Sequence, residues 1–236
     1  MTSELLIALL TLTFLEIVLG IDNIIFISIV TNKLPEEQQP RARFIGLSLA
    51  MVFRILLLLG ITWLIGLTKT VFSVMAVDFS WRDIILLAGG LFLLGKSTVE
   101  IHHKVEGVED QPGVEKKSKV KSMASILFQI VLLDLVFSFD SILTAVGLTD
   151  NLPIMIAAVI ISIVVMMLFA GKISAFINKH PSLQILALSF LLLIGFMLSV
   201  EAFDQHVPKG YIYFAVFFSM MVEMINLRFQ KKQKKA

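Results

Sequence analysis

Four carboxylates stand in two copies of one pattern, inside runs that are otherwise apolar. Glu16 and Asp22 lie six residues apart in Phe14-Leu15-Glu16-Ile17-Val18-Leu19-Gly20-Ile21-Asp22-Asn23. Asp134 and Asp140 repeat that interval in Leu132-Leu133-Asp134-Leu135-Val136-Phe137-Ser138-Phe139-Asp140-Ser141, and the two stretches overlay without a gap. Asn23 and Ser141, each following the second acid, add an amide and a hydroxyl. The candidate metal donors are therefore Glu16, Asp22, Asn23, Asp134, Asp140 and Ser141, with no His inside any span and no cysteine in the chain. Hard oxygen donors of this kind suit Mg²⁺, Ca²⁺ or Mn²⁺ and disfavour copper, nickel and structural zinc. Donor type alone does not choose among the three.

Such acids are costly where they stand. An Asp at the centre of a membrane helix opposes insertion by about 2.5–3.5 kcal/mol, so four unpaired acids would oppose it by roughly 10 kcal/mol. Arg54 and Lys96 are the bases within apolar runs, and ion pairing with them is the plain structural alternative to a metal site. Two bases cannot neutralise four acids; a divalent cation or protons would close the gap. Geometry adds a condition. Residues six apart are about 120° apart around a straight helix, so one site can use both acids of a copy only if the helix unwinds between them. Gly20 stands at that point in the first copy and Ser138 in the second, and both residue types permit a break.

The elements that must carry these groups are membrane spans. Apolar residues make up 57% of the 236 and charged residues 16%, a balance foreign to a soluble domain of this size. Candidate spans run from Leu5 to Val30, Phe44 to Leu67, Ile84 to Ile101, Met123 to Leu148, Ile154 to Ile177, Leu183 to Phe203 and Tyr211 to Leu227. Each is near the roughly 20 residues that cross a bilayer core. The start, Met1-Thr2-Ser3-Glu4, has no basic region ahead of the apolar run, so the first block is expected to be a retained span and not a cleaved leader. Lys69 to Trp81 is too short to cross and reads as an interfacial or re-entrant segment. The expectation is an all-α polytopic protein with seven transmembrane helices.

Fifteen of the 20 Lys and Arg fall in the first, third and fifth loops and the tail, which places the N-terminus outside and the C-terminus inside. Trp63, Trp81, Tyr211 and Tyr213 then gather near the outer interface, where amphipathic rings prefer to sit. The acid repeat divides the chain. Residues 1–101 form a first three-helix unit, 102–122 a charged cytoplasmic linker, 123–203 a second unit, and 204–236 a seventh span with a basic tail. A weaker echo pairs the stretch ending at Glu100 with the one ending at Glu201. Three spans per unit is odd, so the second unit enters the membrane from the opposite side, the inverted arrangement of many secondary transporters.

The paired motif resembles the signature of the TerC family of integral membrane proteins, in the LysE-type transporter superfamily. The resemblance runs over nearly the whole chain and includes Arg54 after the first loop. The stretch His206-Val-Pro-Lys-Gly-Tyr-Ile-Tyr213 is similar to a subgroup of short members. It implies a manganese transporter of the bacterial inner membrane, working as an exporter, with Glu16, Asp22, Asn23, Asp134 and Asp140 at the metal site. Some related proteins carry a cytoplasmic CBS and CorC-type tail; this sequence ends at Ala236 without one, and regulation through such a tail is not carried over.

The leading expectation is thus a carrier that moves Mn²⁺ outward by alternating access, with Ca²⁺ and Mg²⁺ as the lesser cargo candidates and no prosthetic group. Rival readings are an amino-acid exporter, which would need donors for a carboxylate, and a non-transporting membrane partner. An intramembrane aspartyl protease lacks its Gly-x-Gly-Asp signature, so no enzyme is expected. Glu100, His102, His103, Glu106, Glu109 and Asp110 form an irregular cluster that reads first as a hydrated loop and second as a metal-loading site. Lys96 is either a snorkelling base or a counter-ion. The Arg228 to Lys235 tail points to anionic lipid, not nucleic acid. Glu201 and Asp204 could gather cations at the outer mouth, while Glu223 and the Met166-Met167 and Met220-Met221 pairs read as headgroup and packing residues.

Overall fold

In lipid every backbone polar group must find its partner within the protein, and the apolar runs meet that demand as helices. The computed structural model describes residues 3–74, 77–106, 122–205 and 208–233; the side chains of Asp22 and Asp140 lie outside that description. Its helices are α1 (Ser3–Leu19), α2 (Ile21–Thr31), α3 (Gln39–Leu59), α4 (Ile61–Gly66), α5 (Trp81–Glu106), α6 (Met123–Leu148), α7 (Leu152–Asn178), α8 (Pro181–Glu201) and α9 (Lys209–Gln233). Among the described residues, seven helical segments are long and apolar enough to cross a membrane, α1 and α2 together making the first.

Local chemistry sets the helix ends. Ser122 caps α6 by accepting from the Ser125 amide at 3.3 Å, and Asn151 caps α7 by accepting from the Ile154 amide at 3.3 Å. Pro40, Pro153 and Pro181 stand in the first turns of α3, α7 and α8, where a missing N–H costs nothing. At α5, Ser80 and Asp83 cap each other reciprocally, the Ser80 amide donating to Asp83 Oδ2 at 2.8 Å and the Asp83 amide to Ser80 Oγ at 3.3 Å.

Several boundaries differ from the sequence reading. The second span starts earlier, at Gln39, and stops at Gly60, where the chain turns before α4. Within Lys69 to Trp81, read as an interfacial or re-entrant segment, β1 (Thr70–Val74) and β2 (Val77–Ser80) pair as a two-stranded antiparallel sheet. Val and Phe residues favour strand there, and Phe79 stacks on Phe72 and meets Phe203 edge-on. Helix α5 continues through His102 and His103 to Glu106, so the first residues of the expected linker are helical; 107–121 lie outside the described residues. Helix α9 likewise runs on into the basic tail as far as Gln233.

Packing joins the two three-span units repeatedly. Helix α5 lies along α8, α3 crosses α7, α1 and α2 pack on α7, and α3 packs on α6. The α5–α8 crossing is backbone on backbone: a Cβ on Gly195 would lie 2.9 Å from the Gly90 carbonyl, and one on Gly90 would lie 2.6 Å from the Gly195 carbonyl. Small residues at a crossing let membrane helices approach this closely. The Leu67 carbonyl accepts from the Arg82 amide at 3.2 Å, and Arg82 pairs with Glu201. Trp63, Trp81, Glu201 and the start of α9 therefore share one end of the bundle.

Candidate functional site

Helix α1 is largely exposed, and its buried side chains are Leu12 and Glu16. Helix α2 is the opposite, buried at every residue from Asn23 to Thr31. Between them the first span breaks at Gly20, which has helical-region dihedrals but ends the run of α1. Gly20 keeps its own bonds, its amide donating to the Glu16 carbonyl at 2.9 Å and its carbonyl accepting from the Ile24 amide at 3.1 Å. The break needs a glycine because α7 presses against it. A Cβ on Gly20 would lie 2.4 Å from Met166 Sδ.

The second copy is built differently. Helix α6 runs without interruption from Met123 to Leu148, so the expected break at Ser138 does not occur. Ser138 Oγ donates to the Asp134 carbonyl at 2.5 Å, one turn back, and also reaches Asp134 Oδ2 at 3.2 Å. A hydroxyl bonded to the carbonyl four residues earlier lies along the helix and leaves its backbone continuous.

Glu16 and Asp134 converge on Arg54 of α3, whose side chain is only 2% exposed. Its Nη1 donates to Glu16 Oε2 at 2.5 Å, its Nη2 to Asp134 Oδ1 at 2.9 Å, and its Nε to Asp134 Oδ1 at 3.2 Å. The Asn23 amide nitrogen donates to Asp134 Oδ1 at 2.9 Å, so α2 reaches the same carboxylate. Ser141 is buried one turn beyond Ser138, donating to its carbonyl at 3.3 Å. Four elements thus meet at one buried cluster of two carboxylates, one guanidinium, an amide and two hydroxyls. Among the described residues no three His, Cys, Asp or Glu side chains gather into a metal cage. The backbone of Asp22 lies beside Asn23, and that of Asp140 beside Ser141.

A cavity of about 60 Å³ adjoins the cluster, lined by Arg54, Ser141, Leu198, Glu201, Ile212 and Tyr213. It connects the depth of Arg54 with the end that carries Glu201. A second space of about 10 Å³, with room on the order of one water, lies beside Glu16 between Leu58, Met155 and Val159.

Other expected groups separate. Lys96, read as either a snorkelling base or a counter-ion, pairs with Glu100 at 3.7 Å, one turn along α5. Glu100 is buried and also accepts from Lys33, while His102 pairs with Glu106 at 3.3 Å on an exposed surface. Glu109 and Asp110 lie outside the described residues. Glu201 pairs with Arg82, and Asp204 is exposed with φ 59°. The Asn226 amide donates to Glu223 at 3.3 Å on α9. Sequence reasoning missed the two end pairs, Lys33–Glu100 and Arg82–Glu201, although the repeat had already matched Glu100 with Glu201.

Residues 1–236 match the model of the Integral membrane protein TerC family. The UPF0053 inner membrane protein YgdQ of Escherichia coli K12 is 54% identical over 222 residues, covering 94% of this chain and 92% of that protein. A UPF0053 protein of Haemophilus influenzae is 51% identical over 228 residues, 97% of this chain and 95% of its own. The UPF0053 inner membrane protein YoaE of Escherichia coli K12 is 49% identical over 218 residues, which are 92% of this chain and 42% of that longer protein. No solved structure matches the chain. The spans and these relatives together mark a bacterial inner membrane protein. The chain belongs to the TerC family of integral membrane proteins.

Proposed function

We propose that this protein is a membrane carrier for divalent metal cations, exporting Mn²⁺ by alternating access around the carboxylates of its two repeats. The observation that carries the reading is the meeting of Glu16 and Asp134, one from each copy of the motif, at a buried cluster beside a cavity that leads to one end of the bundle. Intramembrane ionisable residues of this kind mark ion pathways. One guanidinium against two carboxylates leaves a net charge of −1 before Asp22 and Asp140 are counted, which favours a cation as cargo. Oxygen donors match Mn²⁺, and the choice of Mn²⁺ over Ca²⁺ and its outward direction follow the family resemblance.

The packing supports the inverted-repeat mechanism. Exchanging the first three spans for the second three preserves the most extensive contacts: third with sixth, second with fifth, and first on fifth as fourth on second. An amino-acid exporter would need free donors for a carboxylate, and the Arg54 donors are turned to Glu16 and Asp134. Metal flux in proteoliposomes tests the proposal, with Mn²⁺, Ca²⁺, Mg²⁺ and Zn²⁺ compared on the wild type and the Asp22→Asn, Asp140→Asn double variant. Mn²⁺ movement lost in the double variant is the expected result. Full activity of the double variant sinks the assigned site, and absence of flux for every ion with folded, oriented wild type sinks the carrier.

A further inference from the structure

Arg54 does more than offset charge, and this inference rests on the carrier reading above. An ionised carboxylate is acceptor-only, with two oxygens and about four lone-pair sites. On Asp134 most of those sites are taken. Oδ1 accepts from Asn23 at 2.9 Å and from Arg54 at 2.9 and 3.2 Å, while Oδ2 has only a longer share of the same Arg54 Nε–H at 3.4 Å, the Ser138 proton going to the Asp134 carbonyl. Glu16 has one oxygen on the same guanidinium. In this arrangement Asp134 Oδ1 has no lone pair to offer an ion. A divalent cation seated between the two acids would also face a fixed positive charge at contact distance. Ion and guanidinium therefore exclude each other.

The guanidinium also has somewhere to go. Arg54 is shared between the acid cluster and the adjoining cavity of about 60 Å³, whose wall includes Ser141, Glu201 and Tyr213. A long side chain on an intact helix can leave the acids for that space by rotation about its own bonds. Arginine keeps its charge throughout, because it does not deprotonate in proteins.

We infer that Arg54 is the resident counter-cation of the carboxylate pair: it offsets one of the two negative charges of Glu16 and Asp134 when cargo is absent, and the cargo enters by displacing its guanidinium into the cavity. Two consequences follow. The emptied site returns with one of its two negative charges already offset, so the pair needs at most one proton for that step. A monovalent ion must replace several charge-assisted hydrogen bonds with a single charge, whereas a divalent ion brings twice the charge, so Arg54 sets selectivity for divalent cargo.

The test is equilibrium Mn²⁺ binding to the full-length protein in detergent, for wild type, Arg54→Met and Arg54→Lys, with thermal unfolding measured with and without Mn²⁺. Without its competitor, Arg54→Met binds Mn²⁺ at least tenfold more tightly. It also unfolds at a lower temperature than wild type in the absence of metal and gains more from added Mn²⁺. Lysine keeps the charge but loses the planar fork, so Arg54→Lys binds several-fold more tightly than wild type. If Arg54→Met does not fold, Arg54→Lys decides alone. Equal or weaker binding in the folded variants overturns displacement and leaves Arg54 as a structural anchor. Failure of wild type and variants alike to bind Mn²⁺, Ca²⁺ or Mg²⁺ overturns the carrier reading along with it.

Discussion

In the first copy of the acid motif the helix stops and restarts at Gly20, and in the second the corresponding helix runs unbroken past Ser138. The acids they carry are held just as differently. Glu16 projects from a helix whose other buried side chain is Leu12 and meets one nitrogen of Arg54, whereas Asp134 accepts from Arg54 and Asn23. A repeat in sequence thus supplies like chemistry on unlike supports. One acid stands on a jointed element and the other on a continuous rod, and the arginine of α3 ties the two together. In a carrier that rocks one repeat against the other, such an asymmetry assigns the broken span the larger part of any rearrangement.

Removing each acid in turn gives the largest expected effect. Asp134→Ala strips Arg54 of most of its partners and leaves Asn23 unpaired, and breaking a buried pair in this way costs about 3–5 kcal/mol. Glu16→Ala leaves the Arg54–Asp134 pair standing, and its cost is about 1–3 kcal/mol, the penalty for a buried donor left unsatisfied. Unfolding of the purified variants measures both. A greater loss from Glu16→Ala would reverse the order of anchoring.

The joint itself gives the next effect. Gly20→Leu drives side-chain atoms into Met166 and toward the Glu16 carbonyl, 2.4 and 2.9 Å from a Cβ at that position. Overpacking of this kind costs about 1–3 kcal/mol. Ser138→Ala removes a hydroxyl bonded to Asp134 and costs about 1 kcal/mol. Similar losses at the two positions would erase the distinction between joint and rod.

Much of this was legible in the chain because membrane physics writes itself in long apolar runs. The Met123–Leu148 span agrees with its helix at both ends, since Ser122 is a cap and a polar pair follows at Thr149-Asp150. The break at Gly20 could be anticipated from residue type and from the angle between the acids. The continuity at Ser138 could not, because a serine either interrupts a helix or bonds back along it, and only the neighbouring geometry selects. The hairpin at Thr70–Ser80 had its signal in strand-favouring Val and Phe residues, masked by an apolar average. Arg54 was visible as a base in a span, yet its two partners come from positions 38 and 80 residues away, and such pairings follow from the packing of α1, α3 and α6.

The ends of the bundle sharpen the comparison most gently. Glu100 closes the third span and Glu201 the sixth, matched positions in the repeat, and each has taken a base: Lys33 with Lys96 on one side, Arg82 on the other. Glu100 is the less exposed, at 6% against 13% of its side chain, and its removal takes a partner from two bases, whereas removal of Glu201 takes one from Arg82, which keeps Asp83 at 3.4 Å. Partly exposed pairs of this kind contribute up to about 1 kcal/mol each and weaken with salt. Glu100→Gln is therefore expected to destabilise more than Glu201→Gln at low ionic strength, with the difference shrinking as salt is added. Unfolding at two salt concentrations separates the outcomes. A salt-independent difference would mean that packing around Glu100, and not its charge, distinguishes the ends, and the likeness between these ion pairs would then be one of residue type alone.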